Sequence, residues 1–124
     1  MRLHHVQVSC PPGGEEIARR FWVDGMGLVE VTKPAALASR GGVWFRASDG
    51  AEIHVGVEAD FRPATKAHPA LVVDDRATLA AIADRLESLG FSPDQRERRT
   101  FEGHLRFHVA DGHGNRVEVL APAG

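Results

Sequence analysis

Tyrosine is absent from the 124 residues, and cysteine occurs once, at Cys10. A single thiol closes no internal disulfide, so the chain must be held by its core, and a reducing compartment, the cytoplasm, is its natural setting. No run of about 18 apolar residues exists to span a bilayer. The start, Met1-Arg2-Leu3-His4-His5, lacks the apolar stretch of a signal peptide. Nor is there a surplus of positive charge: 15 Lys and Arg against 17 Asp and Glu give a formal net charge of −2. That balance offers no basic face to nucleic acid and no attraction to an anionic membrane surface. With 43% hydrophobic and 26% charged residues, the composition is that of an ordinary globular domain, long enough to bury a core unaided. The one excess is histidine, seven in all and not gathered in a terminal tag.

The chain reads as two rounds of one pattern. Residues 3–10 alternate as a strand and are broken by Pro11-Pro12-Gly13-Gly14. Glu15 to Trp22 reads as a short helix, with acidic residues in its first turn and basic ones in its last, as the helix dipole favours. A strand at 28–32 follows, then Val43–Arg46 and Glu52–Glu58, joined by the turn signal Ser48-Asp49-Gly50. The second round opens with a strand at 68–73. Asp74 or Asp75 caps a helix from Arg76 to Leu89, in which Leu79, Ile82, Ala83, Leu86 and Leu89 fall on one face. A charged, irregular edge strand is expected at 91–99, then strands at 104–109 and 116–120 around the turn Asp111-Gly112-His113-Gly114-Asn115. The expectation is one α+β domain over residues 1–124, built from two β-α-β-β-β repeats at about 1–60 and 67–122. Helices would lie outside and concave sheet faces inside.

Strand alternation assigns faces. Val6 and Val8 pack against the helix, which turns His5 the other way. Ile53, Val55 and Val57 pack, which turns His54 inward with Glu52 and Gly56. His68 shares parity with Ala70 and Val72, and Glu118 with Arg116 and Leu120. These four polar residues fall on the first and last strands of the repeats, and the intervals His5 to His68 and His54 to Glu118 differ by a single residue. Pseudo-twofold symmetry would then gather His5, His54, His68 and Glu118 around one divalent ion, such as Zn, Ni, Co, Mn or Fe(II), with positions left open for water or substrate. The competing reading for any one inward histidine is a satisfied core residue. His4 has the opposite parity, and His104 and His113 belong to strand ends and turns. His108 shares the cavity parity only if strand 104–109 keeps register, and would then support a ligand rather than bind the ion. Cys10 reads as a packed small residue.

At these residues the chain resembles the vicinal oxygen chelate superfamily, which includes glyoxalase I, extradiol dioxygenases, fosfomycin-resistance enzymes and bleomycin-resistance proteins. The matching pieces are Leu-His-His-Val-Gln-Val at 3–8, Glu-Ile-His-Val-Gly at 52–56, Ala-His-Pro-Ala-Leu-Val-Val-Asp-Asp at 67–75 and Gly-Asn-Arg-Val-Glu-Val-Leu at 114–120. The resemblance implies paired modules forming a cup, a divalent metal held by His5, His54, His68 and Glu118, bidentate binding of a small oxygen-rich substrate, and a homodimer. Two features depart from particular branches. Glyoxalase I typically has Glu where this chain has His54, which leaves Glu118 as the proton-transfer group. Bleomycin-resistance proteins usually lack the metal set that is kept here. His5, His68 and Glu118 resemble the two-histidine, one-carboxylate triad of the dioxygenase branch.

Three functions fit this pattern. One is a metal-dependent isomerase, lyase or dioxygenase, with Glu118 as ligand and base, and Arg46 or Arg106 as a cation for an anionic substrate unless solvated at the surface. Another is a non-catalytic protein that sequesters a drug or metabolite in a cavity lined by Trp44, Phe45 and Phe107, unless these are core. The third is an accessory module whose ligand set is a remnant. The substrate and the metal's identity are not written in the sequence.

Overall fold

The computed structural model describes all 124 residues as an α+β fold with two small sheets. The chain divides into two compact units, Met1–Pro63 and Ala64–Gly124. No helix is long and apolar enough to cross a membrane.

In the first unit, β1 (His5–Cys10), β2 (Val29–Val31), β3 (Val43–Arg46) and β4 (Glu52–Val57) form a sheet in the order β1-β4-β3-β2. β1 runs parallel to β4 and pairs Gln7 with His54; β3 runs antiparallel to β4 and pairs Trp44 with His54. The helix expected over 15–22 is α-helical only as α1, Glu15–Arg19, and then widens into a π-turn at Arg20–Gly25, where the Met26 amide reaches back to the Phe21 carbonyl. Val8, Cys10, Phe45, Ile53 and Val55 on the strands, with Phe21 and Trp22 on the helical segment, are buried and form the apolar interior. His5 and Gln7 are exposed on the other side of β1. Gly42 allows β3 to start: its φ is +83°, and a Cβ there would stand 2.2 Å from the Val55 carbonyl oxygen.

In the second unit, β5 (Ala70–Val72), β6 (His104–Ala110) and β7 (Arg116–Pro122) form a sheet in the order β5-β7-β6. α2 (Arg76–Ser88) is capped by Asp75, whose carboxylate accepts the Thr78 amide hydrogen at 2.7 Å. It packs against β6 and β7. Its buried residues Leu79, Ile82, Ala83 and Leu86 are the face foreseen from their spacing. Leu105, Phe107, Val109, Val117 and Val119 supply the buried side of the sheet.

The strand expected at 91–99 is reduced to one bridge, in which Asp94 and His108 exchange backbone hydrogen bonds of 2.7 and 3.1 Å. Local chemistry explains the loss. Pro93 has no amide hydrogen to give to a ladder, and the Asp94 carboxylate accepts the Arg96 amide hydrogen at 3.0 Å, turning the chain. The second unit is therefore β-α-β-β plus a bridge, rather than a full copy of the first.

Candidate metal centre

The β6–β7 hairpin builds the site. Its turn is closed by Asp111 and Asn115, both buried. One Asp111 oxygen accepts the amide hydrogens of His113 and Asn115 at 2.9 and 3.1 Å, the other accepts the Asn115 side-chain amide at 2.8 Å, and Asn115 Oδ1 accepts the Ala64 amide at 2.9 Å. This closure fixes the register that sets His108 directly opposite Glu118. β5 lies on the other side of β7, where the Glu118 amide bonds to the Pro69 carbonyl and brings His68 alongside. His68, His108 and Glu118 each offer a ligand atom, and these atoms lie within 4.8 Å of one another.

The donor set fits a cation. His68 Nδ1 donates to the Lys66 carbonyl at 2.8 Å, so in the neutral ring Nε2 carries a lone pair; it faces Glu118 Oε1 at 3.0 Å. His108 Nε2 also lies 3.3 Å from Glu118 Oε1, but is not aligned for a hydrogen bond and has no other partner despite its burial. Burial, with Arg116 nearby, lowers the His108 pKa and favours its neutral form. Burial alone would raise the pKa of Glu118, but its close contacts with His68 and with the Arg106 guanidinium outweigh it and leave the pKa lowered. With the His108 proton on Nδ1, three lone-pair atoms face one another at contact distance, an arrangement that a positive charge placed among them satisfies. Arg106 Nη1 holds the other carboxylate oxygen, Oε2, at 3.3 Å. Arg106 also donates to the Thr100 hydroxyl at 2.7 Å and is only 18% exposed, so it is no solvated surface cation.

The first unit arranges its two candidates differently. His54 lies between Trp44, stacked at 3.7 Å and 3°, and His5, stacked at 4.0 Å and 13°. Lone pairs of imidazole nitrogens lie in the ring plane, so two nearly parallel rings do not converge on one ion in this conformation. His54 Nε2 is also engaged by Glu52 Oε1 at 2.9 Å, and Arg46 holds the second Glu52 oxygen at 3.0 Å. Burial lowers the His54 pKa more than its hydrogen bond to Glu52 raises it. Of the four residues expected to share an ion, then, His68 and Glu118 make direct contact, while His5 and His54 meet as a ring stack. Trp44 belongs to that stack, whereas Phe45 and Phe107 are core. His108 takes a larger part than its sequence position suggested. The signal was available: His108 and Glu118 are equally distant from His113, the centre of the hairpin turn.

Residues 2–119 match the family model of the Glyoxalase/Bleomycin resistance protein/Dioxygenase superfamily. The chain belongs to this superfamily. A glyoxalase family protein from Bacillus anthracis is 38% identical, with a TM-score of 0.86 over 98% of this chain and 95% of that one. Two more distant superfamily structures share the fold. Lactoylglutathione lyase from Agrobacterium tumefaciens is 19% identical, with a TM-score of 0.71 over 97% of this chain and 92% of its own. The fosfomycin resistance protein FosX from Listeria monocytogenes is 14% identical, with a TM-score of 0.75 over 99% and 94%. No curated protein matched the chain.

Proposed function

We propose that this superfamily member is a divalent-metal-dependent enzyme of the isomerase, lyase or dioxygenase type, acting on a small oxygen-rich molecule. The observation that carries the reading is the convergence of His68, His108 and Glu118, whose ligand atoms lie within 4.8 Å of one another. These three residues would hold the ion. Zn, Fe, Ni and Mn all accept two imidazoles and a carboxylate. A divalent ion at such a site acts as a Lewis acid toward substrate oxygens.

The chain's own groups do the rest. The Lys66 carbonyl fixes the His68 ring so that Nε2 faces the site. Arg106 holds Oε2 of Glu118, which leaves Oε1 as the oxygen available to an ion or a proton. The lowered pKa keeps Glu118 ionised near neutral pH, as a base must be. Burial of Glu118 and His108 keeps bulk water from competing at these atoms.

The test is elemental analysis of untagged protein after loading with Zn, Fe, Ni or Mn. About one ion per chain is expected, lost in His68→Ala and in Glu118→Ala. His108→Ala, His5→Ala and His54→Ala, run beside them, show one by one whether each holds the ion. A parent chain that takes up none of the four metals would refute the enzyme reading and favour a protein that sequesters a metabolite or drug.

A further inference from the structure

Beside His108, the second unit has a cavity of about 520 Å³, within the size range of small-molecule pockets. Four charged residues line it: Asp94, Arg96, Glu97 and Arg116. Three of these charges are already answered. Arg96 Nε grips both Asp94 oxygens, at 3.0 and 2.9 Å. Glu97 accepts the Thr100 hydroxyl at 2.7 Å and lies 4.0 Å from Arg106. No ion pair or hydrogen bond engages the Arg116 guanidinium, although Arg116 is half-buried. Thr65 and Ser92 bring hydroxyls to the same cavity.

A half-buried guanidinium without a counter-charge, facing an open cavity, is a site for an oxyanion, whose two oxygens match its donor fork. Arg116 and Glu118 are two residues apart on β7 and so share a face, roughly 7 Å apart along the strand. His108 belongs both to the cavity lining and to the metal-ligating cluster. We infer that Arg116 anchors a carboxylate or phosphonate group of the small molecule that reaches His108 and Glu118. The orientation of that molecule rests on the metal-centre reading; the anion site itself does not. The substrate class is then a short molecule with an anionic group at one end and chelating oxygens at the other.

The experiment titrates the metal-free, ¹⁵N-labelled chain with acetate, methylphosphonate and uncharged acetamide at constant ionic strength, following amide resonances. Saturable shifts centred on Thr65, Ser92 and Arg116 are expected with an anion and not with acetamide, and the tighter anion names the group. Arg116→Gln should weaken binding by about tenfold or more, as loss of a charge-assisted hydrogen bond implies, and Arg116→Lys should retain part of it. Undiminished binding by a folded Arg116→Gln chain, no saturation with either anion, or shifts centred away from this cavity would each overturn the assignment; the last two need no variant. Zinc uptake, measured separately on the parent, tests the metal centre: anion binding without zinc uptake removes that reading and leaves this one standing.

Discussion

Replacing Asn115 by alanine tests whether the hairpin closure positions the site. Asn115 is 2% exposed. Its side chain donates to Asp111 at 2.8 Å and accepts the Ala64 amide at 2.9 Å. Alanine removes both bonds and leaves two groups without those partners: the Ala64 amide hydrogen and one oxygen of the buried Asp111 carboxylate. A hydrogen bond of this kind contributes about 1 kcal/mol net, and a buried group left unsatisfied costs about 1–3 kcal/mol. Water reaching the opened turn recovers part of that cost, so the expected loss is about 2–4 kcal/mol. Urea unfolding followed by circular dichroism would show it as a lower midpoint at unchanged slope. Because the same closure sets His108 opposite Glu118, zinc affinity should fall as well. A loss below about 1 kcal/mol, with zinc uptake intact, would refute the argument that these bonds hold the site in register.

Other outcomes follow from the first unit. Gly42→Ala puts a Cβ 2.2 Å from the Val55 carbonyl oxygen at a φ of +83°, and should cost more than about 2 kcal/mol. Gly50→Ala shares a positive φ of +97° but meets nothing within 4 Å, and should cost about 1 kcal/mol; equal losses in thermal unfolding would show that the close approach is unimportant. Burial holds the His54 pKa below its ordinary 6.5, so the unfolded chain takes up that proton first. The stability from His54 is complete above about pH 6.5 and lost as pH falls toward its folded pKa. Hydrogen bonds from His54 and Arg46 lower Glu52 below 4.5, which adds a second loss at lower pH; denaturation midpoints that do not decline with acid would contradict both. Glu52→Gln removes the group that raises the His54 pKa, so an NMR titration should find His54 titrating lower still, and an unchanged value would deny the contact.

Legibility in the sequence followed the locality of the cause. The α2 face was readable because Leu79, Ile82, Ala83 and Leu86 repeat at helical spacing, and both hairpins because Asp-Gly turns sit between alternating strands. Segment 91–99 was misjudged because the polar side chain that turns it, Asp94, acts against a pairing that only the tertiary fold could offer. At the site, alternation gave the face of Glu118, since Val117 and Val119 are core; His68 precedes β5, which begins only at Ala70 rather than at the expected residue 68, and reaches Glu118 from a loop that alternation does not govern. Alternation could not give ring orientation. The stacking of His5 on His54 depends on the parallel pairing of β1 with β4 and on Trp44 across from His54, none of which is local. The fate of Arg106 was hidden for the same reason: its partners Thr100 and Glu118 come from two different segments.

The parallel pairing of β1 with β4 also sets an order of events during synthesis. β1 is made first, yet every rung of its ladder is on a strand that leaves the ribosome after β2 and β3. At usual elongation rates β1 therefore waits roughly 2–10 seconds for its partner, with Val8 and Cys10 uncovered. The neighbouring hairpin, β3 with β4, closes locally and far faster. The strand made first in this sheet thus waits for the one made last, and during that interval its backbone edge stays open to a chaperone or to another nascent chain.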